Sequence, residues 1–463
     1  MTGQEPALES LRSGLLEIVG KSGLLDPEDV AARSCDPFRH VAIQSPFVVR
    51  PGSTEEVSQV VKLAAGHGFG IVTHGGRTGV AGGAYTRPDT IVISLERMSR
   101  IEEVCELDQV AVVQAGVPVE ALHQAAEARG LFYPVDLGAK GSATMGGTIA
   151  TNAGGNHVIR WGMTRQNLLG VEAVLADGTI VSAMNRLIKN NMGYDLKQLF
   201  IGTEGTIGIV TRAVVKLVPL PTTQDVAFVG VEGMDKVLAL LNLARGVPSL
   251  SAFEVMWRDY YELMAESDSG RRPIEPGHPY YVLIESMGRD PDADRAAFER
   301  LIDAAYAKGL IADGVLATSD RQKRELWRVR EGSEIIVREF GTFVSFDISV
   351  ELRSVERFVE EAYVALRQRF QNVRGTTFGH LGDNNIHLGI TIGDETIART
   401  MEIEEVVFDA LQPYGGSITA EHGIGTVKSE FLRKYKSEGE LGLMRRLRTA
   451  LDPDRRLNPD VMI

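Results

Sequence analysis

Twenty-three of the 49 glycines in this 463-residue chain fall between Gly66 and Gly208, under a third of its length. Glycine supplies backbone freedom and close approach, so this stretch is expected to fold around something that comes near the main chain. It follows a helix start. In "PGSTEEVSQVVKLAAGHG" Ser53 stands three before Glu56, the spacing of a capping box, and apolar residues then recur at helical intervals. A strand, "FGIVTH", runs into "GGRTGVAGG". That loop lacks the G-x-G-x-x-G spacing of a dinucleotide fingerprint and the Gly-Lys-Ser/Thr ending of a P-loop. Its consecutive glycines can still aim several N–H groups at an anion. Alone, it fits an unliganded turn equally well. Two further loops of small polar residues follow, "DLGAKGSATMGGTIATNAGG" (136–155) and "LFIGTEGTIGIVT" (199–211). Three such loops in one region point to a large ligand threaded past backbone amides. Short β segments lie between them, including the hairpin "VEAVLADGTIV" with its Asp-Gly turn.

After residue 220 the texture changes. Strand-like and helix-like segments alternate ("VAFVGVEG" then "MDKVLALLNLA", "YYVLIES" then "DRAAFERLIDAAYAKG"), which predicts an antiparallel sheet with helices on one face. The expected divisions are 1–220 (a helical lead-in and the glycine-rich domain), 221–414, and a C-terminal segment 415–463 that packs back. The net charge of −13 argues against nucleic acid or an anionic membrane surface as the main partner. No apolar run approaches the roughly 20 residues of a spanning helix. The acidic start "MTGQEPALES" lacks the marks of a signal or transit peptide, so a cytoplasmic location is expected. Cys35 and Cys105 form no C-x-x-C pair.

The second constraint is histidine. In "FGHLGDNNIHLGI" His380 and His387 flank a polar turn. With Asp383-Asn384 as a two-residue hairpin turn, residue 380 faces 387 and their Cβ atoms stand about 5 Å apart, a distance that suits two imidazoles on one metal ion. A lone pair of this kind is more often simply hydrogen-bonded. A third donor shifts the balance: "TAEHGIG" offers Glu421, followed at once by His422. Two histidines and a glutamate with an open position form a catalytic zinc pattern. His40, His67, His123, His157 and His278 sit in no such motif.

Together the motifs "VDLGAKGSATMGGTIATNAGGN", "LGVEAVLADGTIV", "GYDLKQLFIGTEGTIGIVT", "LSAFEVM", "GHLGDNNIHL", "AEHGIG" and "LNP" resemble the D-2-hydroxyglutarate and D-lactate dehydrogenase branch of the vanillyl-alcohol oxidase/p-cresol methylhydroxylase flavoproteins. The resemblance runs from about residue 45 to the C-terminus. It implies an α+β fold: an FAD-binding domain of two α+β subdomains, of the p-cresol methylhydroxylase type, and an α+β substrate cap with an antiparallel sheet. FAD would meet Gly75, Gly76, Arg77, Thr78 and Gly79 in the first loop and Gly138, Ser142, Gly146, Thr151, Asn152 and Gly155 in the second. Glu204, Gly205 and Ile209 would border it from the third, and Asn458 from the C-terminal "LNP". Some relatives attach the flavin to a histidine at the position of Arg77, so non-covalent FAD is implied here. His74 departs from the pattern. The resemblance places a divalent metal, zinc or manganese, on His380, His387 and Glu421. It makes His422 the base and puts Asn385 and Arg330 on the substrate, although on spacing alone Arg330 reads as an exposed helix arginine.

The implied reaction is oxidation of a D-2-hydroxy acid to the 2-oxo acid. The electron acceptor is expected to be a quinone or an electron-transfer flavoprotein, and a homodimer is among the expectations. Two positions depart from the 2-hydroxyglutarate enzymes. Glu334 stands where they have threonine, and Ser345 where they have lysine. The first adds a negative charge and the second deletes a positive one, which disfavours a distal carboxylate. With Phe343 and Phe346 nearby, a monocarboxylic acid such as D-lactate, or one with an apolar tail, is expected. Competing readings are a flavin oxidase using O₂, a non-redox synthase of the same fold, a zinc hydrolase without flavin, and a non-catalytic binding protein.

Overall fold

The computed structural model describes residues 4–38, 40–267 and 272–463. The fold is α+β, and the chain divides into two compact units. The first comprises the chain up to Gly155, Gly162–Leu220 and Glu421–Ile463; the second comprises Asn156–Trp161 and Pro221–Ala420.

In the first unit, β1 (Val48–Val49), β2 (Gly70–His74) and β3 (Thr90–Ser94) form a parallel sheet in the order β1-β3-β2. Helix α1 (Thr54–Gly66) joins β1 to β2. Its start follows from sequence: Ser53 accepts a hydrogen bond from the Glu56 backbone N–H. The Glu56 carboxylate reaches back to the N–H of Gly52, one residue before the expected partner. The strands β4 (Ile101–Cys105), β5 (Val110–Gln114), β6 (Leu131–Phe132), β7 (Leu168–Val174), β8 (Ile180–Ala183), β9 (Ile209–Lys216) and β10 (Val218–Pro219) follow. Five of them make an antiparallel sheet in the order β4-β5-β9-β7-β8, and β6 pairs with β10. The β7–β8 hairpin pairs Val174 with Ile180. Its Asp-Gly therefore lies within a five-residue connection, where Gly178 adopts φ +81°. One apolar core joins α1, both main sheets and Leu457 from the C-terminal segment.

The second unit is a seven-stranded sheet built from β11 (Thr223–Val231), β12 (Leu250–Trp257), β13 (Tyr280–Gly288), β14 (Asp313–Leu316), β15 (Val344–Ser349), β16 (Arg374–Gly379) and β17 (Asn385–Thr391). The order is β14-β11-β13-β12-β16-β17-β15, and all pairs are antiparallel. Strands such as β12 and β13 are buried almost end to end, without the alternation of a half-solvated strand. The reason is that helices cover both faces, not one as expected. On one face Tyr260 of α2 (Arg258–Ser267) packs on Phe378, ring centroids 4.4 Å apart. On the other, Phe346 of β15 meets Phe408 of α3 (Thr400–Leu411) at 5.5 Å. Among the described residues, no helix is long and apolar enough to cross a membrane.

Candidate active site

The glycine loop that leaves β2 is held at both ends. His74, 2% exposed, places Nε2 2.8 Å from the carbonyl of Ala84. The ring nitrogen must carry a proton to donate there, and burial pushes the imidazole pKa down to about 4, so the ring is neutral. His74, whose role was not legible in the sequence, thus clamps the returning end of the loop. Between these points the first and second loops touch. A Cβ on Gly76 would stand 1.9 Å from the carbonyl oxygen of Ser142, and one on Gly75 would stand 2.4 Å from Thr144 Oγ1. Arg77 adopts φ +57°, and its Nη1 is buried without a hydrogen-bond partner, as is Thr144 Oγ1. Burial holds the Arg77 pKa below its ordinary value.

Of the other expected cofactor residues, Asn458, Glu204 and Gly205 meet at the same end of β2. Asn458 Oδ1 accepts from the N–H of Thr73, and its Nδ2 donates to the carbonyl of Glu204 at 2.5 Å. The Glu204 N–H bonds the carbonyl of Ala150, which ties the third loop to the second. The Glu204 carboxylate is itself occupied, accepting from the N–H groups of Ile424 (2.7 Å) and Gly425 (2.8 Å). Burial raises its pKa while those two amides oppose the rise. Gly205 adopts φ +70° beside Asn458. Asn152, at φ +52°, accepts from the N–H of Arg165, and Thr151 Oγ1 donates to the carbonyl of Gly147. Gly146 donates to the Ala115 carbonyl, and Ile209 is fully buried. Around Gly79 and Gly138 nothing lies within 4 Å of a hypothetical Cβ. Gly155 is conformationally required: φ is +96° and a Cβ would meet Asp136 O at 1.8 Å. Its N–H donates to Glu421 Oε1 at 2.7 Å. Glu421 and His422 are half-buried. These residues fit FAD: backbone loops too close for side chains, an unpaired buried guanidinium nitrogen, and an unpaired hydroxyl, all suited to a pyrophosphate.

In the second unit the histidine motif differs from the expected hairpin. A 3₁₀ turn, Leu381–Asp383, and a left-handed Asn384 (φ 74°) fill the connection. The register pairs Phe378, not His380, with His387. A slip of two keeps every side chain on its expected face. His380 lies beyond the end of β16, yet the two imidazoles still meet, with ring centroids 5.4 Å apart at 81°. Strand pairing then puts Ser345, Asp347, Asn385, His387, Phe378, Met256 and Glu254 on one face of the sheet.

Two acids on that face were not singled out from sequence. Asp347, fully buried, lies 3.9 Å from His387 Nδ1 and accepts from Asn385 Nδ2 at 2.8 Å. It also holds Thr419 Oγ1 and the N–H of Ala420, the residue before Glu421. Glu254, 1% exposed, accepts from Arg330 Nε at 2.6 Å and lies 2.9 Å from His380 Nδ1. The visible signal was a lone acid inside an apolar strand, "LSAFEVM" and "TFVSFDISV". Such a position requires a partner. Burial opposes ionisation of Glu254, but His380 and Arg330 outweigh it and its pKa is lowered.

Arg330 ends α4 (Asp320–Arg330) and is no surface arginine. It is 6% exposed, with Cζ 4.8 Å above the Phe378 ring. Asn385 Oδ1 is buried without a hydrogen-bond partner. Ser345 is exposed on the His387 face, and Glu334 is exposed on α5 (Ser333–Phe340). Phe343 lies near Gly389 on that face. Phe346 points to the opposite side, against Phe408, so it does not belong with the substrate-facing residues proposed from sequence. The donor set fits a divalent ion: two adjoining imidazoles, one backed by a buried carboxylate.

A family model described as "FAD linked oxidases, C-terminal domain" matches residues 220–462, and one described as "FAD binding domain" matches 45–183. A D-2-hydroxyglutarate dehydrogenase of Xanthomonas citri pv. viticola is 37% identical, over 94% of this chain and 92% of its own length. The mitochondrial D-2-hydroxyglutarate dehydrogenase of Bos taurus is 36% identical over 97% and 83%. A putative mitochondrial D-lactate dehydrogenase of Schizosaccharomyces pombe is 34% identical over 94% and 87%. Among solved structures, p-cresol methylhydroxylase with substrate bound has a TM-score of 0.80 at 14% identity, covering 98% of this chain and 96% of that one. An alkyldihydroxyacetonephosphate synthase has a TM-score of 0.75 at 18% identity, covering 97% and 84%. These structures share the fold.

Proposed function

The chain belongs to the FAD-linked oxidase family, and from that premise we propose that it is an FAD-dependent dehydrogenase oxidising a D-2-hydroxy acid to the 2-oxo acid. The observation that carries the reading is the grouping of Arg330, Asn385, His380 and His387 in the second unit. There a buried guanidinium lies against the His380 imidazole, which adjoins that of His387, and Asn385, on the His387 face of the sheet, has an amide oxygen without a partner. A cation and a hydrogen-bonding amide suit a 2-hydroxy carboxylate. The planar guanidinium fork matches the carboxylate, and Glu254 takes only its Nε.

The proposed roles follow. FAD, held without a covalent bond at the loops around Gly76, Arg77, Ser142 and Asn458, would accept the hydride equivalent from C2. A divalent ion, zinc or manganese, on His380, His387 and Glu421 would lower the pKa of the substrate hydroxyl. His422 takes the hydroxyl proton as general base. Asn385 is oriented by Asp347 and the Ile348 carbonyl, which accept from its Nδ2 and leave Oδ1 without a hydrogen-bond partner. Arg330 pairs with the C1 carboxylate.

Glu334 and Ser345 favour a monocarboxylic substrate, because the pocket would offer a distal carboxylate one more acid and one fewer base. The acceptor is taken to be a quinone or an electron-transfer flavoprotein, with O₂ as the competing oxidant. The test is an anaerobic visible spectrum of the flavin- and zinc-loaded protein with D-lactate, D-mandelate and D-2-hydroxyglutarate in turn. Bleaching by the monocarboxylates is expected. Bleaching by D-2-hydroxyglutarate alone would reject the specificity reading, and no bleaching by any D-2-hydroxy acid would reject the activity. Stoichiometric hydrogen peroxide in air would instead make the enzyme an oxidase.

A further inference from the structure

We infer that Glu254 is a positioning residue that couples the metal ligand His380 to the substrate-binding Arg330, an inference that rests on the function proposed above. Glu254 stands in the middle of β12, flanked by the apolar Phe253 and Val255, with its side chain 1% exposed. A buried carboxylate at such a place costs several kcal/mol unless it is fully paired. Its two partners are the two groups the reaction needs. Both carboxylate oxygens lie 2.9 Å from His380 Nδ1, and one of them accepts Arg330 Nε at 2.6 Å.

The pairing with His380 selects a tautomer. With its proton on Nδ1, pointed at Glu254, the ring carries its lone pair at Nε2, the nitrogen that would ligate a cation and that Arg330 Nη2 also approaches. A carboxylate behind a histidine ligand also raises the basicity of the ligating nitrogen and fixes the ring plane. The pairing with Arg330 works on charge and direction. The guanidinium places Nη2 3.3 Å from His380 Nε2, so an uncompensated Arg330 would repel a metal ion at that nitrogen. Glu254 balances that charge. By taking Nε, it turns the Nη side of the guanidinium toward His380, the side from which a substrate carboxylate would meet it. The face of Phe378, 4.8 Å from Cζ, limits the alternative orientations. One acid therefore serves both binding events, and removing its charge weakens both.

The test compares wild type, Glu254→Gln and His387→Ala as FAD-loaded, metal-stripped proteins titrated with Zn²⁺ against a chelator. The KM for the substrate identified by flavin bleaching is measured in parallel, with FAD content and melting temperature as controls for folding. Glu254→Gln is expected to bind Zn²⁺ 10- to 100-fold more weakly and to show a raised KM, with FAD content unchanged. Wild-type Zn²⁺ affinity in Glu254→Gln, with His387→Ala impaired, would overturn this inference alone. A wild-type protein that takes up no Zn²⁺ would overturn the metal reading and the inference with it. Should Glu254→Gln fail to retain FAD, ¹⁵N-histidine spectra of metal-free wild type decide, with the His380 signal assigned by its loss in His380→Gln. Protonation at Nδ1 supports the inference, and protonation at Nε2 overturns it.

Discussion

Replacing Arg330 by methionine keeps an apolar stem over Phe378 but leaves Glu254 with one cation fewer at a site where water cannot substitute. Removing one partner of a buried ion pair costs about 3 kcal/mol, so urea unfolding should show Arg330→Met destabilised by roughly that amount. KM should rise as well, and a variant as stable as wild type would mean that the pair carries little energy. Sequence spacing missed this because α4 is strongly polar and its arginine sits in the last turn, where solvated cations are common. Only the lone acid in β12 hinted at a buried partner. His74 sets a second expectation. Its pKa falls from an ordinary 6.5 to about 4 because the ring is buried, so the unfolded chain binds the proton more tightly than the folded one. The His74 contribution is complete above pH 6.5 and is lost as pH falls toward 4, by about 2 kcal/mol at pH 5. Glutamine can donate to Ala84 but does not titrate. Melting curves at pH 7 and pH 5 should therefore show wild type losing more stability than His74→Gln, and equal losses would count against the buried neutral ring.

At the scale of elements, the glycine loop can be dissected by two substitutions. Gly76→Ala forces a Cβ against the Ser142 carbonyl, where only backbone movement relieves the contact. The FAD-free variant should melt lower and should no longer retain the flavin through gel filtration. Gly79→Ala meets open space, so the FAD-free protein should keep its melting temperature. Weakened flavin binding in Gly79→Ala would then report a contact with the cofactor and not damage to the loop. Retention of FAD by Gly76→Ala would show that the two loops can separate at little cost. Sequence indicated that these loops need close approach, since nothing but glycine is tolerated where backbones touch. It could not indicate which glycine meets backbone and which meets space. The histidine hairpin shows the same limit. Face parity was readable from the period of two, and it survives the slip that puts Phe378 in place of His380 opposite His387. The register was not readable, because "GHLGDNN" can close as a tight turn or as a 3₁₀ turn with a left-handed asparagine. The local sequence does not decide between them.

For the whole molecule, the two units differ in what holds them and in what they are expected to bind. The alternating strand and helix patterns after residue 220 read as α+β, the class that the family resemblance also implies, although such alternation by itself equally suits a parallel sheet. The two-sided covering of the second sheet was harder to see, since its strands carry apolar residues on both faces and give no alternation to read. The units have separate apolar cores, one running from Leu11 to Leu457 and the other from Val226 to Ile336. FAD is assigned to residues of the first unit alone. Its binding should stabilise the holoprotein by RT ln(1 + [FAD]/Kd), about 2.7 kcal/mol when free FAD is 100 times Kd. His387 belongs to the second core's sheet, so His387→Ala should abolish zinc uptake and turnover while flavin content and the FAD-dependent rise in melting temperature stay at wild-type values. Calorimetry of both proteins with and without added FAD measures this. A His387→Ala protein that also loses its flavin would mean that the assignment of FAD to first-unit residues alone has to be abandoned.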